Sequence, residues 1–409
     1  MSGSDANAVT AARVGAALDT QDCGIDARAH TRRLLVAAIS PHAGALAPVL
    51  ADSSHGTAVD WEWLVERAES HRVAALVAAR LDRAGLTGSL PAAARARLDR
   101  VRQVAAERAG GAERTLQELA PLLQRTGIPF LLVKGFLLAD RVYGDALIRP
   151  FYDLDVIVPR TALEATEALL RTWGYHLGGI WQLLGKRPRP LHSLDVAEEI
   201  ARTCYLRVFH NLSYAPGQGD PRRPVDLHWT IVARGRLPLR EEQLWARTTT
   251  ARVAGVELRT LDPQATLIHQ AMHALEPWFH SFRLLHLCDI AWMVDHAAEP
   301  LPSLWTLAHE WGAAYHLELA LRLVDRLFDV RGARTLLVGR QPSPWMRAAL
   351  RRIGSAEVLV DRRIADDDPW PRRAAVELGW GLAVRGLRAK LTFSLARRRA
   401  TWRWRRRIC

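Results

Sequence analysis

The stretch RPFYDLDVIVPR, residues 149–160, places two carboxylates, Asp153 and Asp155, one residue apart in an apolar run. Leu154, Val156 and Val158 alternate with Asp153, Asp155 and Ile157, the period of two that marks a strand. Both acids would then project from one face, roughly 6.6–6.8 Å apart along the backbone. Like charges at that spacing repel, and burying them without a partner is costly. A divalent cation between them removes the cost, so metal-assisted chemistry is the first expectation.

The elements around this strand are legible from spacing. Residues 1–28 are small and polar and read as a disordered lead-in. Residues 29–125 are Ala/Leu/Arg-rich with helical spacing. Pro91 suits a helix start and Gly127 a stop, while Gly110-Gly111 weakens the run between them. The character changes at Ile128. IPFLLVKG reads as a buried strand, FLLADRVYG as a short helix, and the aspartate strand follows, stopped by Pro159. TALEATEALLRTWG is an amphipathic helix with Thr161 as its candidate N-cap. TCYLRVFHNLSY and RPVDLHWTIV read as further strands, and LDPQATLIHQAMHAL opens a second helical block. The expected fold is α+β. A small mixed-sheet core at 126–260 is flanked by helical regions at 29–125 and 261–384, with a basic Arg/Trp tail at 385–409.

The order of LLVKG (131–135), RPFYDLDVIV (149–158) and VDLHW (225–229) resembles the polymerase-β-type nucleotidyltransferase superfamily. It is most similar to a bacterial nucleotidyltransferase branch with KG, RPxxDLDxxV and DLHW motifs. The resemblance covers roughly 120–300. It implies an enzyme that moves an NMP from an NTP such as ATP to an acceptor, with two Mg²⁺ ions clamping the attacking and leaving oxygens. Asp153 and Asp155 would bind both ions. Asp226, by resemblance the third carboxylate, would hold the ion that activates the acceptor hydroxyl. Gly135 lacks a Cβ, so the backbone there can approach phosphate oxygens. The superfamily's usual Gly-Gly or Gly-Ser is here Gly135-Phe136, which removes a hydroxyl contact to phosphate. Lys134 would supply the charge instead. Arg149 would pair with a triphosphate oxygen or hold Asp153 in place. His228 shares a strand face with Asp226 and would stand behind the metal ligands. His269 and His273, four apart, read as helix-face histidines turned to the core or cleft, because Gln270 replaces the glutamate of a zinc-protease motif.

Charge and composition narrow the acceptor. The net charge is +13, yet the ten Lys/Arg and absent acids of Arg385–Cys409 supply most of it. The body lacks the broad basic field that long nucleic acids need. A small molecule, peptide or protein acceptor is favoured. The alternatives are a tRNA- or protein-modifying enzyme of toxin–antitoxin type, and a non-catalytic binding module with a vestigial site. The tail RRRATWRWRRRIC could contact an anionic surface, RNA or an acidic peptide, or simply aid solubility. Only Lys134, Lys186 and Lys390 are lysines, a bias that points to GC-rich bacterial coding. The four cysteines form no CxxC pair, and no signal-peptide pattern or long apolar run appears, so a cytoplasmic location is expected.

Overall fold

The apolar run Leu131–Val133, just ahead of Lys134, forms an inner strand of one sheet in a computed structural model of the chain. The structure describes residues 25–53, 58–178, 206, 210–232, 237–275, 283–297 and 301–361, with 395, 402 and 406 singly. The lead-in up to residue 24 and nearly all of the basic tail lie outside the described residues, as does most of TCYLRVF. Helix α1 (Ile25–Ile39) starts inside the expected lead-in. Helices α2 (Leu46–Ser53), α3 (Trp61–Ser70), α4 (Ala74–Arg83) and α5 (Ala92–Arg125) follow.

Among the described residues, seven strands form one mixed sheet. They are β1 (Leu131–Val133), β2 (Leu154–Ile157), β3 (Tyr175–Leu177), β4 (Asn211–Pro216), β5 (Val225–His228), β6 (Thr248–Val253) and β7 (Val256–Leu261). Their spatial order is β3-β4-β5-β2-β1-β7-β6. Strand β2 runs antiparallel to β1 and parallel to β5. Helix α6 (Gly135–Arg141) joins β1 towards β2, and α7 (Leu163–Thr172) follows β2. Thr161 does not cap α7. It sits in a 3₁₀ turn at Arg160–Ala162, and the cap position, Ala162, makes no side-chain bond.

After α8 (Glu241–Trp245) and the β6–β7 hairpin, Asp262 caps α9 (Pro263–Ala274) by accepting the Ala265 amide. Helices α10 (Leu284–Asp295), α11 (Leu304–Glu310), α12 (Ala314–Phe328), α13 (Arg331–Leu337), α14 (Pro344–Ile353) and α15 (Ala356–Asp361) complete the chain's described part. The fold is therefore α+β, with helical regions flanking the sheet, as expected.

Two apolar cores follow from the strand period. Leu154, Val156 and Val158 pack with Leu116, Leu119 and Leu123 of α5 on one sheet face. Leu131, Val133 and Ile157 on the other face join a larger core with α9, α10 and α12 and with the N-terminal helices. Asp155 alternates with Leu154 and Val156, so it faces this second layer.

Helix α5 runs unbroken through Gly110-Gly111, where the sequence suggested a weak point. A Cβ on Gly111 would stand 2.6 Å from the Pro221 carbonyl oxygen and 2.9 Å from Arg223 Cδ. Glycine lets the β4–β5 connection lie directly on the helix, and Thr115 Oγ1 accepts the Arg223 amide there at 2.7 Å. Packing thus outweighs the helix cost of glycine, about 1 kcal/mol.

Candidate active site

Asp155 and Asp226 are register partners across the parallel β2–β5 pair, and Ile157 is the partner of His228. Their side chains share a face. The ligand atoms of Asp155, Asp226 and His228 all lie within 4.8 Å of one another. Asp153 immediately precedes the first residue of β2 and is only half-buried. The sequence placed Asp153 in the innermost trio and His228 behind it. The geometry gathers His228 into the trio and leaves Asp153 at its edge.

Lys134 is not on the strand but at the turn into α6, with φ 52° and ψ −134°. A bulky residue at positive φ costs on the order of 1–3 kcal/mol and persists only when its surroundings enforce it. Here the conformation turns the side chain onto the carboxylates. Lys134 Nζ lies 2.6 Å from Asp155 Oδ1, and the Nε2–H of His228 donates to the same oxygen at 3.0 Å. Asn211 Nδ2 on β4 donates to Asp226 Oδ2 at 3.1 Å.

The electrostatics separate the carboxylates. Burial alone would push Asp155 up, but the Lys134 charge and the His228 hydrogen bond outweigh it and hold the group well below the usual carboxylate range. For Asp153 the Lys134 charge is outweighed. Burial, reinforced by the charges of Asp155 and Asp226, pushes its carboxyl up to about 8. Lys134 stays charged, because the three aspartates more than offset its burial.

Arg149 takes a different position from the phosphate contact expected of it. Its Nε and Nη2 donate to the two oxygens of Asp289 at 3.0 and 2.7 Å. Its Nη1 donates to the Gly135 and Pro150 carbonyls at 3.1 Å each. The residue is 4% exposed, and four of its five N–H donors are already engaged within the fold. Nor does Arg149 hold Asp153. It ties the β1–α6 turn to α10, where Tyr143 Oη also donates to Asp289 at 2.9 Å. Sequence reading missed Asp289 and Tyr143. The available signal was a lone acid inside the apolar run LLHLCDIAWMV, since a buried charge needs a partner.

Gly135 is held closely. A Cβ there would meet Phe151 Cβ at 3.2 Å and Asp155 Oδ2 at 3.6 Å. The absence of a side chain brings the turn against the aspartate strand. His269 on α9 is buried and faces the same site. Burial, then the Lys134 and His228 charges, drive it well below the usual histidine range. Its Nδ1 has no hydrogen-bond partner among the described residues. His273 and His286, ring to ring at 4.8 Å, are likewise kept neutral by burial.

The donor set suits a hard divalent cation, which prefers carboxylate oxygens. An aspartyl group pushed up by burial and then by two neighbouring charges marks a place where added positive charge would be welcome. Among the described residues, no helix is long and apolar enough to cross a membrane.

No curated protein and no solved structure matches this chain. A family model described as an uncharacterised nucleotidyltransferase matches residues 57–329, well over half of the chain and all of the site just described. The carboxylates in register on β2 and β5, the Lys-Gly turn beside them and this match agree, and the chain belongs to that nucleotidyltransferase family.

Proposed function

We propose that the protein transfers an NMP from an NTP to a hydroxyl or phosphate of a small-molecule, peptide or protein acceptor, with Mg²⁺. The observation that carries this reading is the pairing of Asp155 with Asp226 in register, with Asp153 pushed up beside them. Asp155, Asp226 and Asp153 would hold the metal, with His228 Nε2 orienting Asp155. Bound there, Mg²⁺ would neutralise charge on the phosphates and lower the pKa of an acceptor hydroxyl.

The chain's own residues supply the rest. Lys134, whose ammonium lies beside Asp155, would supply the positive charge that pairs with a phosphate oxygen. Gly135 keeps the turn free of a side chain where the triphosphate would approach. Asp226 is the group poised to accept a proton from the acceptor. Arg149 and Asp289 fix the turn that carries Lys134 and Gly135, a positioning role.

Calorimetric titration of non-hydrolysable ATP, GTP, CTP and UTP analogues, with and without Mg²⁺, tests this. The expected result is Mg²⁺-dependent binding that Asp155→Ala and Asp226→Ala abolish. Absence of nucleotide binding in folded wild type, or binding indifferent to Mg²⁺ and to both variants, would overturn it in favour of a binding module.

A further inference from the structure

The residue before Asp153 is Tyr152, and two arginines stand over its ring. Arg72 Cζ is 4.4 Å and Arg108 Cζ 4.1 Å from the ring centroid. A third arginine, Arg223, donates to the Tyr152 carbonyl from Nε at 3.1 Å and Nη2 at 2.6 Å. Arg72 lies between α3 and α4 at φ 59°, a second positive-φ basic residue beside this site. Arg108 comes from α5. Different parts of the fold thus converge on one tyrosine.

A cleft of about 430 Å³ opens here, lined also by Arg100, Arg97 and Glu69. Among the described residues Glu69 is its one acid, and it is already engaged, with Arg97 Nη2 at 2.5 Å. No carboxylate among the described residues forms an ion pair with Arg72, Arg100 or Arg108. Burial lowers Arg72, Tyr152 and Asp153 partly offset this, and the charges of Arg108 and Arg149 add to the lowering. Guanidiniums held close together with no carboxylate in ion-pair contact repel one another, and a bound anion relieves that repulsion. The planar fork of arginine matches phosphate oxygens in pairs. The Asp153 carboxyl is near enough to act on both Arg72 and Arg223, so the cleft adjoins the carboxylates. It approaches them along the Tyr152 side, through α5 and the α3–α4 connection, whereas Lys134 and Gly135 approach from β1 and α6.

We infer that this arginine cleft seats a phosphate group of the acceptor, which makes the acceptor a phosphate-bearing molecule. The inference rests on the nucleotidyl-transfer reading of the carboxylate site. It gives Arg72, Arg100 and Arg108 a binding role separate from the nucleotide's triphosphate.

The test titrates inorganic pyrophosphate into the full-length protein in metal-free buffer. Non-hydrolysable NTP analogues with Mg²⁺ are titrated in parallel. Wild type is compared with Arg72→Gln and Arg108→Gln, and circular dichroism reports folding. Arg108 on a long helix provides the variant whose folding is least at risk. The expected result is at least a tenfold weaker pyrophosphate Kd in both variants, with Mg²⁺-dependent analogue binding unchanged within twofold. No pyrophosphate heat in folded wild type, or wild-type affinity in the folded variants, would overturn the proposal. Loss of analogue binding by the same factor would overturn it too, because the arginines would then serve the triphosphate. A failure of the underlying reading looks different. Wild type would then lack Mg²⁺-dependent analogue binding while arginine-dependent pyrophosphate binding persisted, and the assignment to an acceptor would fall with that reading.

Discussion

Lys134 Nζ and Asp155 Oδ1 are 2.6 Å apart, and both side chains are largely shielded from solvent. The ammonium occupies one lone pair that a metal ion would need. Removing one partner of a buried pair costs about 3–5 kcal/mol, because the other charge is left uncompensated. Lys134→Met is expected to lower the stability of the metal-free protein by an amount of that order. Mg²⁺ should restore more stability to the variant than to wild type, since the cation replaces the lost ammonium. Thermal unfolding with and without Mg²⁺ checks both statements, and an equal Mg²⁺ gain in the two proteins would contradict them.

Proton uptake by Asp153 provides the pH prediction. Its folded value of about 8 lies above the ordinary 3.8. Between those limits the metal-free fold binds a proton that the unfolded chain does not. This group's stabilisation is full at the acid end of the window and is lost as pH rises through about 8. If Asp153 holds the metal as proposed, a divalent cation would displace that proton, so Mg²⁺ binding at pH 7 should release about one proton and tighten as pH rises. Calorimetry in buffers of different ionisation enthalpy reads the proton directly. Asp153→Asn should abolish the release.

The Arg149–Asp289 pair is buried at 5% and 0% exposure and carries two hydrogen bonds. Asp289→Ala should cost about 3–5 kcal/mol in denaturant unfolding. The double variant Arg149→Met/Asp289→Leu should cost clearly less than the sum of the two single changes, because no charge is then stranded. Additive losses would show that the two side chains act independently.

Gly110 and Gly111 make opposite predictions from neighbouring positions on one helix. A Cβ at Gly110 meets nothing within 4 Å, whereas at Gly111 it meets the Pro221 carbonyl oxygen at 2.6 Å. Gly110→Ala should stabilise by about 0.5–1 kcal/mol through helix propensity. Gly111→Ala should destabilise by about 1–3 kcal/mol, as overpacking does. Chemical denaturation of the two variants suffices to show the difference in sign.

What could be read in advance, and what could not, follows from the range of each interaction. The Asp155 and Asp226 face was legible, because strand period is local and the motifs fix the order of the strands. The nucleotidyltransferase family and the flanked mixed sheet were legible for the same reason. The side-chain direction of Lys134 was not, since it depends on a positive φ that only the surrounding packing enforces. The partner of Arg149 lies 140 residues away, so no local pattern reveals it. Thr161 satisfied a capping pattern, yet the chain entered α7 through a 3₁₀ turn instead. Gly111 read as a helix weakness because its reason, Pro221, is a distant contact.

Helix α5, 34 residues, is about 50 Å long at ~1.5 Å per residue. Ala94 and Leu98 near its start belong to the core of the N-terminal helices, while Leu116 to Leu123 near its end belong to the back layer of the sheet. Arg100 and Arg108 sit between the two. One continuous rod therefore makes the two cores a single mechanical unit. A shift of the N-terminal helices is carried along it to the layer that backs the aspartate strand, and the cleft between them moves with both.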